Sequence, residues 1–401
     1  MNQPDKPTHI DLFAGCGGLS LGLFNAGWQG LFAIEKNKLA FATLQHNLID
    51  NKKAFDWPEW LPRQSHNIKT VLSKHKNELL KIAGKVDLVT GGPPCQGFSS
   101  AGRRNQNDQR NKLVDAYIDF IKLVKPKMLF FENVRGFTVG FKKKKSRGKA
   151  YSEYVLTGLR NLGYDVHGEI LDFSEFGIPQ RRKRFILVGL LKGNSNSFFK
   201  TIVEKKGQFL QSKGIHEHVT LSEAISDLER KHGEVDSPDT KRFKAGVYSE
   251  PKSHYQELLR RESNGKHPNS HRFANHREET VLNFQYILDH ALRDKSVSDD
   301  IRSKLKSSKR DIVLLAPDKV SPTLTTLPDD YIHYSEPRIL TVREYARIQS
   351  FADWFEFKGK YTTGAEDRRK DVPRYTQVGN AIPPLFGEQA ALILKELLCT
   401  E

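Results

Sequence analysis

Residues 9–27 read HIDLFAGCGGLSLGLFNAG, and this stretch decides the fold. HIDL is a short apolar run, GCGG supplies small residues where a chain must turn sharply, and LSLGLF repeats its apolar positions at helical spacing until Gly27 ends it. The pattern is strand, glycine turn, helix. Outward from it, GLFAIE at 30–35 reads as a second strand closing in an acid, and KVDLVTGG at 85–92 as a third running into a Pro-Pro-Cys turn. LVDAYIDFIKLVKP at 113–126 reads as a helix and KMLFFENV at 127–134 as a fourth strand, with further strands at 163–173 and 184–190. Such alternation predicts a doubly wound, mainly parallel α/β sheet whose ligands sit outside the carboxyl ends of the strands.

The 401 residues are enough for two or three lobes, so a disulfide-dense mini-scaffold is excluded. Lys and Arg number 64 against 48 Asp and Glu, a formal charge of +16, which points to an anionic partner and above all to nucleic acid. Cys16, Cys95 and Cys399 are too few and too scattered for a disulfide framework or a CxxC zinc site. The longest apolar run near a strand, FILVGLL at 185–191, is far short of a membrane span, and the N-terminus has no secretory pattern. A reducing, cytoplasmic setting is expected. After residue 190 the texture changes to Lys, Arg, Asn, Ser and His, with scattered helical runs such as 279–292 and 341–351. QVGNAIPPLFGEQAALILKELL at 377–398 reads as a loop and a core-facing helix that returns to the first domain. The division expected is 1–190 plus 375–401 as one domain and 191–374 as a second, smaller, irregular one. The spacing of His267, His271 and His276 is only loosely metal-like, so they are read as surface or DNA-backbone histidines and no metal is expected.

The glycine turn departs from GxGxxG, but Glu35 ends the next strand about 20 residues on, where an acid accepts hydrogen bonds from ribose hydroxyls. An adenosine-type cofactor follows. GGPPCQGFSS at 91–100 holds Cys95 at a strand end, where nearby N–H groups favour a thiolate, making it the nucleophile candidate. Cys16 and Cys399 lack that setting. A nicotinamide oxidoreductase fits the glycine turn but leaves the Pro-Pro-Cys and QRRKR segments unexplained.

DLFAGCGG at 11–18, GGPPCQGFS at 91–99, ENV at 132–134, PQRRKRF at 179–185 and QVGNAIPP at 377–384 together resemble, in order and spacing, the signature motifs of DNA (cytosine-5) methyltransferases of restriction-modification type. The resemblance spans about residues 8–190 and 320–398. It implies a Rossmann-like methyltransferase domain, a target-recognition domain in between, and transfer of a methyl group from S-adenosylmethionine, leaving S-adenosylhomocysteine, to C5 of a flipped-out cytosine in a specific duplex sequence. Cys95 is then the nucleophile on C6, Glu132 the acid at N3, Arg184 the cytosine O2 contact and Arg182 an orienting residue. Arg182 and Arg184, if both on a strand, share one face. Cofactor contacts carried over are Phe13, Gly15, Cys16, Gly18, Glu35, Asn67, Ile68, Gly92, Pro94, Leu113 and Asn380. Two positions depart from the family pattern: Lys36 follows the ribose acid where an aromatic or apolar residue is usual, and Asn67 stands for an acid.

The segment 99–113 resembles the family's mobile loop, with Ser99, Ser100 and Arg110 as DNA contacts, joined by Gln180 and Thr323. The basic run at 142–149 adds sequence-independent phosphate affinity if it binds. The expected partners are duplex DNA and a separate cognate restriction endonuclease, with no membrane, a monomeric state and association with the nucleoid. Alternatives are a transfer RNA cytosine-5 methyltransferase of the same fold and a non-catalytic DNA-binding methyltransferase-like protein.

Overall fold

The structure is a computed structural model and describes residues 6–94, 112–139, 150–263, 265, 267–305, 309, 311–362 and 371–399. Cys95, Ser99, Ser100 and Arg110, and the basic run at 142–149, lie outside the described residues. The chain opens with β1 (Thr8–Leu12), α1 (Gly18–Asn25), β2 (Gln29–Ile34), α2 (Lys38–Leu44), α3 (Ile68–Lys74), α4 (Lys76–Lys81) and β3 (Leu88–Gly91). It continues through α5 (Lys112–Val124), β4 (Met128–Val134), α6 (Tyr151–Arg160), β5 (Asp165–Asp172), β6 (Lys183–Leu190) and α7 (Asn196–Lys213). Then come α8 (Leu221–Ile225), β7 (Glu234–Asp236), β8 (Lys244–Gly246), α9 (His254–Arg260) and α10 (Glu278–His290). The last elements are β9 (Lys295–Ser296), α11 (Asp299–Lys304), β10 (Val313–Leu314), β11 (Tyr331–Ile332), α12 (Val342–Ile348), α13 (Arg374–Asn380) and α14 (Pro384–Cys399).

Two compact units emerge, Met1–Asp172 with Lys183–Lys206 and Phe386–Glu401, and Phe173–Arg182 with Gly207–Leu385. The division differs from the expected 1–190 plus 375–401 and 191–374: residues 173–182 and 375–385 fall in the second unit, and residues 191–206 in the first. Its sheet has the order β2-β1-β3-β4-β6-β5. β1, β2, β3 and β4 pair in parallel, whereas β6 runs antiparallel to both β4 and β5. Met128–Phe131 of β4 are all fully buried, as expected for a central strand covered on both faces. α1 and α14 pack backbone to backbone: a Cβ on Gly22 would stand 2.5 Å from the Gly387 carbonyl carbon. Trp28 Nε1 donates to the Ala391 carbonyl at 3.0 Å, fixing α14 beside the start of β2.

In the second unit every residue of α12 is buried, including Arg343, Glu344 and Arg347. A buried charge must be paired and hydrogen-bonded, and these are. Arg347 donates to both oxygens of Asp227 at 2.9 and 3.0 Å and to both of Asp353 at 2.8 and 2.7 Å. Glu344 accepts from both Nη atoms of Arg338 at 2.8 and 2.7 Å and caps its own helix through Thr341. Two expectations change here. Residues 377–380 are not loop but the last turn of α13, with Tyr375 and Val378 buried at helical spacing, and Gly379 is there because a Cβ would meet the Thr325 carbonyl oxygen at 2.6 Å. His271 is not a surface histidine: it is 1% exposed, its Nε2–H donates to the Leu228 carbonyl at 2.8 Å and its Nδ1 faces Thr341 Oγ1 at 2.8 Å. Burial pushes its pKa down to about 3, so it is neutral. His267 is exposed and His276 half-buried, and among the described residues no group of His, Cys, Asp and Glu is placed to hold a metal.

Candidate active site

The carboxyl ends of β1 and β2 come first. β1 delivers Phe13 at φ 59, Gly15 at φ 58 and Gly17 at φ 93, and Gly17 caps α1, which starts at Gly18. Positive φ costs glycine little, whereas Phe13 holds it against the steric preference of an L-residue, a feature typical of binding turns. Behind the turn, Ser20 and Thr90 Oγ1 donate to the Asp11 carboxylate, the second at 2.8 Å. Burial raises Asp11 to about 6. In front, Gly15 N–H donates to Glu35 Oε2 at 3.0 Å and Asn37 N–H to Oε1 at 2.6 Å. Burial raises the Glu35 pKa while these backbone donors oppose it. A Cβ on Gly15 would meet nothing within 4 Å. Open space therefore adjoins a carboxylate whose oxygens have lone pairs to spare, which fits a ligand carrying vicinal hydroxyls. Cys16 is buried, and burial pushes its thiol up to about 12, so it offers backbone rather than a nucleophile.

Other expected cofactor residues differ in what they expose. Asn67 is the N-cap of α3, its Oδ1 accepting from Lys69 N–H at 3.0 Å. Ile68 is 2% exposed, so its side chain belongs to the core and only its backbone is on offer. Lys36 is exposed, Leu113 is half-buried in the first turn of α5, and Asn380 is exposed at the end of α13 in the second unit.

The second half of the site is built by three adjacent strands. Gly91 of β3 pairs with Phe131 of β4, and Glu132 and Val134 of β4 pair with Ile186 and Arg184 of β6. Because β6 is antiparallel, its first residues lie beside the carboxyl end of β4, which is how an arginine at the start of a strand reaches the carboxyl edge of the sheet. Arg184 Nε holds Glu132 Oε1 at 2.9 Å. Burial lowers the Arg184 pKa and Glu132 opposes the shift. A Cβ on Gly92 would lie 3.3 Å from Glu132 Oε2, so the chain entering the Pro93–Pro94 turn runs against the carboxylate. Asn133, which the motif reading passed over, donates from Nδ2 to the Pro93 carbonyl at 3.1 Å and so anchors the turn that leads to residue 95. Pro94 is exposed.

The QRRKR segment departs from expectation. β6 starts at Lys183, so strand alternation does not extend to Arg182. Arg182 is 1% exposed and donates from Nη2 to the Gly379 and Ala381 carbonyls at 2.9 and 3.2 Å. It braces the turn that carries Asn380. Gln180, expected at DNA, is fully buried; its Oε1 accepts from Leu324 N–H at 3.0 Å and from Arg182 at 3.4 Å, so it is a scaffold for its neighbours. Thr323 is exposed and its hydroxyl donates to the Arg181 carbonyl at 2.6 Å.

Known proteins are similar to this chain along almost its whole length. The Type II methyltransferase M.DdeI of Desulfomicrobium norvegicum is 32% identical over 399 residues, covering 95% of this chain and 87% of that protein. M.XorII of Xanthomonas oryzae pv. oryzae is 30% identical, covering 95% and 82%. Among solved structures, a prophage-encoded E. coli protein described as a DNA modification methyltransferase superposes with a TM-score of 0.64 at 22% identity, covering 99% of this chain and 100% of that one, a likeness of fold. The sequence pattern of the C-5 cytosine-specific DNA methylase family matches residues 8–396. The chain belongs to that family and is a DNA cytosine-5 methyltransferase of restriction-modification type.

Proposed function

We propose that the chain methylates C5 of a cytosine turned out of a specific duplex DNA sequence, using S-adenosylmethionine and a transient bond between Cys95 and C6. The observation that carries this reading is the Glu132–Arg184 pair at 2.9 Å, set beside Gly92 at the entrance to the Pro-Pro-Cys turn. C5 of cytosine is a weak nucleophile, so the ring needs activation. Attack of the Cys95 thiolate on C6 forms the S–C6 bond and moves the C5–C6 π electrons into an enamine stabilised at N3. Glu132 is the group for N3: Arg184 occupies Oε1, and among the described residues Oε2 accepts no hydrogen bond. Arg184 orients Glu132 and brings a fixed positive charge to cytosine O2. S-adenosylmethionine, when bound, supplies an electrophilic sulfonium methyl. Phe13, Gly15, Gly18 and Glu35 fit its holding, with Glu35 accepting from the ribose hydroxyls. Loss of the C5 proton and breakage of the S–C6 bond then restore the thiolate.

Unit two, with the division of labour expected for 191–374, is the duplex-reading part, aided by Thr323 and, outside the described residues, Ser99, Ser100 and Arg110. Paired base atoms are inaccessible in duplex DNA, so the target nucleotide must leave the stack. A monomer acting on genomic DNA in the cytoplasm beside a cognate nuclease completes the reading, and among the described residues no helix is long and apolar enough to cross a membrane.

The test is a duplex carrying 5-fluorocytosine at the target. Fluorine cannot leave as a cation, so a methylated covalent adduct should accumulate, map to Cys95 by peptide mass, require S-adenosylmethionine and fall sharply in Glu132→Gln. An adduct at Cys16 or Cys399, or adduct formation by Cys95→Ala, overturns the reading. The same assay on transfer RNA separates the two substrates.

A further inference from the structure

We infer that Arg272 is a base-reading residue of the second unit, presenting the outer edge of its guanidinium to a guanine of the target sequence in the major groove. This rests on the reading of the protein as a sequence-specific duplex methyltransferase. Arg272 lies in a short segment that extends the β7–β8 hairpin: Arg272 bridges Ala245, Gly246 N–H donates to the His271 carbonyl at 3.2 Å and Phe273 N–H to the Lys244 carbonyl at 2.9 Å. Extended backbone alternates its side chains. His271 and Phe273 are 1% and 3% exposed on one face, which turns Arg272 to the other, where it is half-buried.

There its guanidinium carbon lies over two rings, 4.0 Å from the centroid of Phe243 and 3.8 Å from that of Tyr361. The clamp is itself fixed. Tyr361 Oη donates to Asp239 at 3.1 Å, Arg374 stacks on the same ring at 4.2 Å and also binds Asp239. The large buried arginines of this unit, Arg182, Arg338, Arg343 and Arg347, each tie an Nη to a carboxylate or a carbonyl. Arg272 is different: among the described residues its Nε is buried without a hydrogen-bond partner and neither Nη is bonded. Two aromatic rings pack on it and its Nε is buried, so what it has left to offer is the Nη fork.

A planar fork, frozen by stacking, loses little freedom when it binds and suits a planar pair of acceptors. Guanine O6 and N7 are such a pair in the major groove, and a bidentate arginine there discriminates against the wrong base by roughly ten- to a hundred-fold. Phosphate contact needs no such clamp, and exposed Lys241 and Arg242, at the tip of the same hairpin, are available for it.

The experiment first identifies the methylated sequence by bisulfite sequencing of DNA from cells expressing the wild-type chain. Methylation kinetics are then measured on duplexes in which each target guanine is replaced in turn by 7-deazaguanine, which lacks the N7 acceptor. At one position wild type should lose about ten-fold or more in kcat/KM, and Arg272→Lys, weakened to a similar degree on the natural duplex, should lose nothing further from that replacement. Phe243→Leu, which keeps the charge but removes one ring, should show a smaller loss at the same position, and it carries the test if Arg272→Lys does not fold. Additive losses at every position, or a uniform loss with the salt dependence of binding reduced by about one phosphate contact, overturn the assignment and make Arg272 a backbone contact. A wild-type chain that methylates no duplex overturns the parent reading and this one with it.

Discussion

The carboxyl edge of the sheet and helix α12 both concentrate charge, and they use it in opposite ways. At the sheet edge Glu35 and Glu132 are partly open, each held by one or two donors and each left with acceptor capacity. In α12 the charges are fully buried and their partners saturate them, Arg347 alone making four bonds of 3.0 Å or less to two carboxylates. Incomplete pairing leaves chemistry available; complete pairing leaves only structure. A buried pair is also an asymmetric risk, because removing one member strands the other in a low-dielectric interior.

The largest effect should therefore come from α12. Arg347→Ala leaves Asp227 and Asp353 buried without their main cation and should destabilise the second unit by about 3–5 kcal/mol. Hydrogen exchange should show loss of protection in 342–348, while β1 and β3 amides keep theirs. Unchanged protection in α12 would mean that its apolar packing alone holds it.

Next in size is the pH dependence of a residue behind the sheet edge. Asp11 titrates at about 6 when folded, against an ordinary value of 3.8. The folded state thus binds the proton more tightly, so the cost of ionising Asp11 is absent below about pH 4, grows through the interval and is fully present above about pH 6. The gap between the folded and ordinary values corresponds to about 3 kcal/mol. Asp11→Asn has no charge to bury and its amide still meets the Ser20 and Thr90 hydroxyls. The stability of Asp11→Asn minus that of wild type, from urea midpoints, should rise by about that amount between pH 3 and pH 8; a flat difference would show that Asp11 ionises at its ordinary value.

A packing glycine in the second unit, Gly379, contrasts in turn with Gly15 in the first, which borders open space. Gly379→Ala forces a methyl against the Thr325 carbonyl oxygen, 2.6 Å from where its Cβ must go. Backbone cannot swing aside, so about 1–3 kcal/mol of overpacking strain should appear as a lower melting temperature. Wild-type melting would show that the α13 turn can shift.

What the sequence revealed follows the same division. The segments 11–18, 30–35, 91–94 and 132–134 are contiguous and local, each at a strand end, so residue type and order suffice to put Gly15, Glu35, Gly92 and Glu132 at the ends of their strands. Arg182 misleads because its neighbour Arg184 lies on β6, and where the strand begins is settled by pairing with Leu171 and Val134 rather than by local pattern. TVREYARIQSF announces a helix, but its arginines look like solvent-facing charges; their burial depends on Asp227, more than a hundred residues away. Gln180 and His271 hide for the same reason, since polar residues are normally outside and only distant partners reveal that they are satisfied inside. Asn133 is the exception that could have been found: an amide directly after the strand-end acid, next to a Pro-Pro turn lacking N–H donors of its own, is suited to a carbonyl of that turn.

The smallest change in stability, and the one that best separates a site from a scaffold, is expected for Gly15→Ala. Gly15 sits at φ 58, so an alanine there adopts a left-handed conformation at a cost of about 1 kcal/mol. Its methyl clashes with nothing, since no atom lies within 4 Å of the Cβ position, and the fold should be retained with only a small drop in melting temperature. That same methyl would stand in the space beside Glu35, whose Oε2 is held 3.0 Å from Gly15 N. If the cradle is where S-adenosylmethionine binds, its dissociation constant by calorimetry should rise at least ten-fold in Gly15→Ala, with the methylation rate at saturating donor far less affected. A weakly destabilised variant that still binds the donor as wild type does would remove Gly15 from the site and leave the open space beside Glu35 without a ligand.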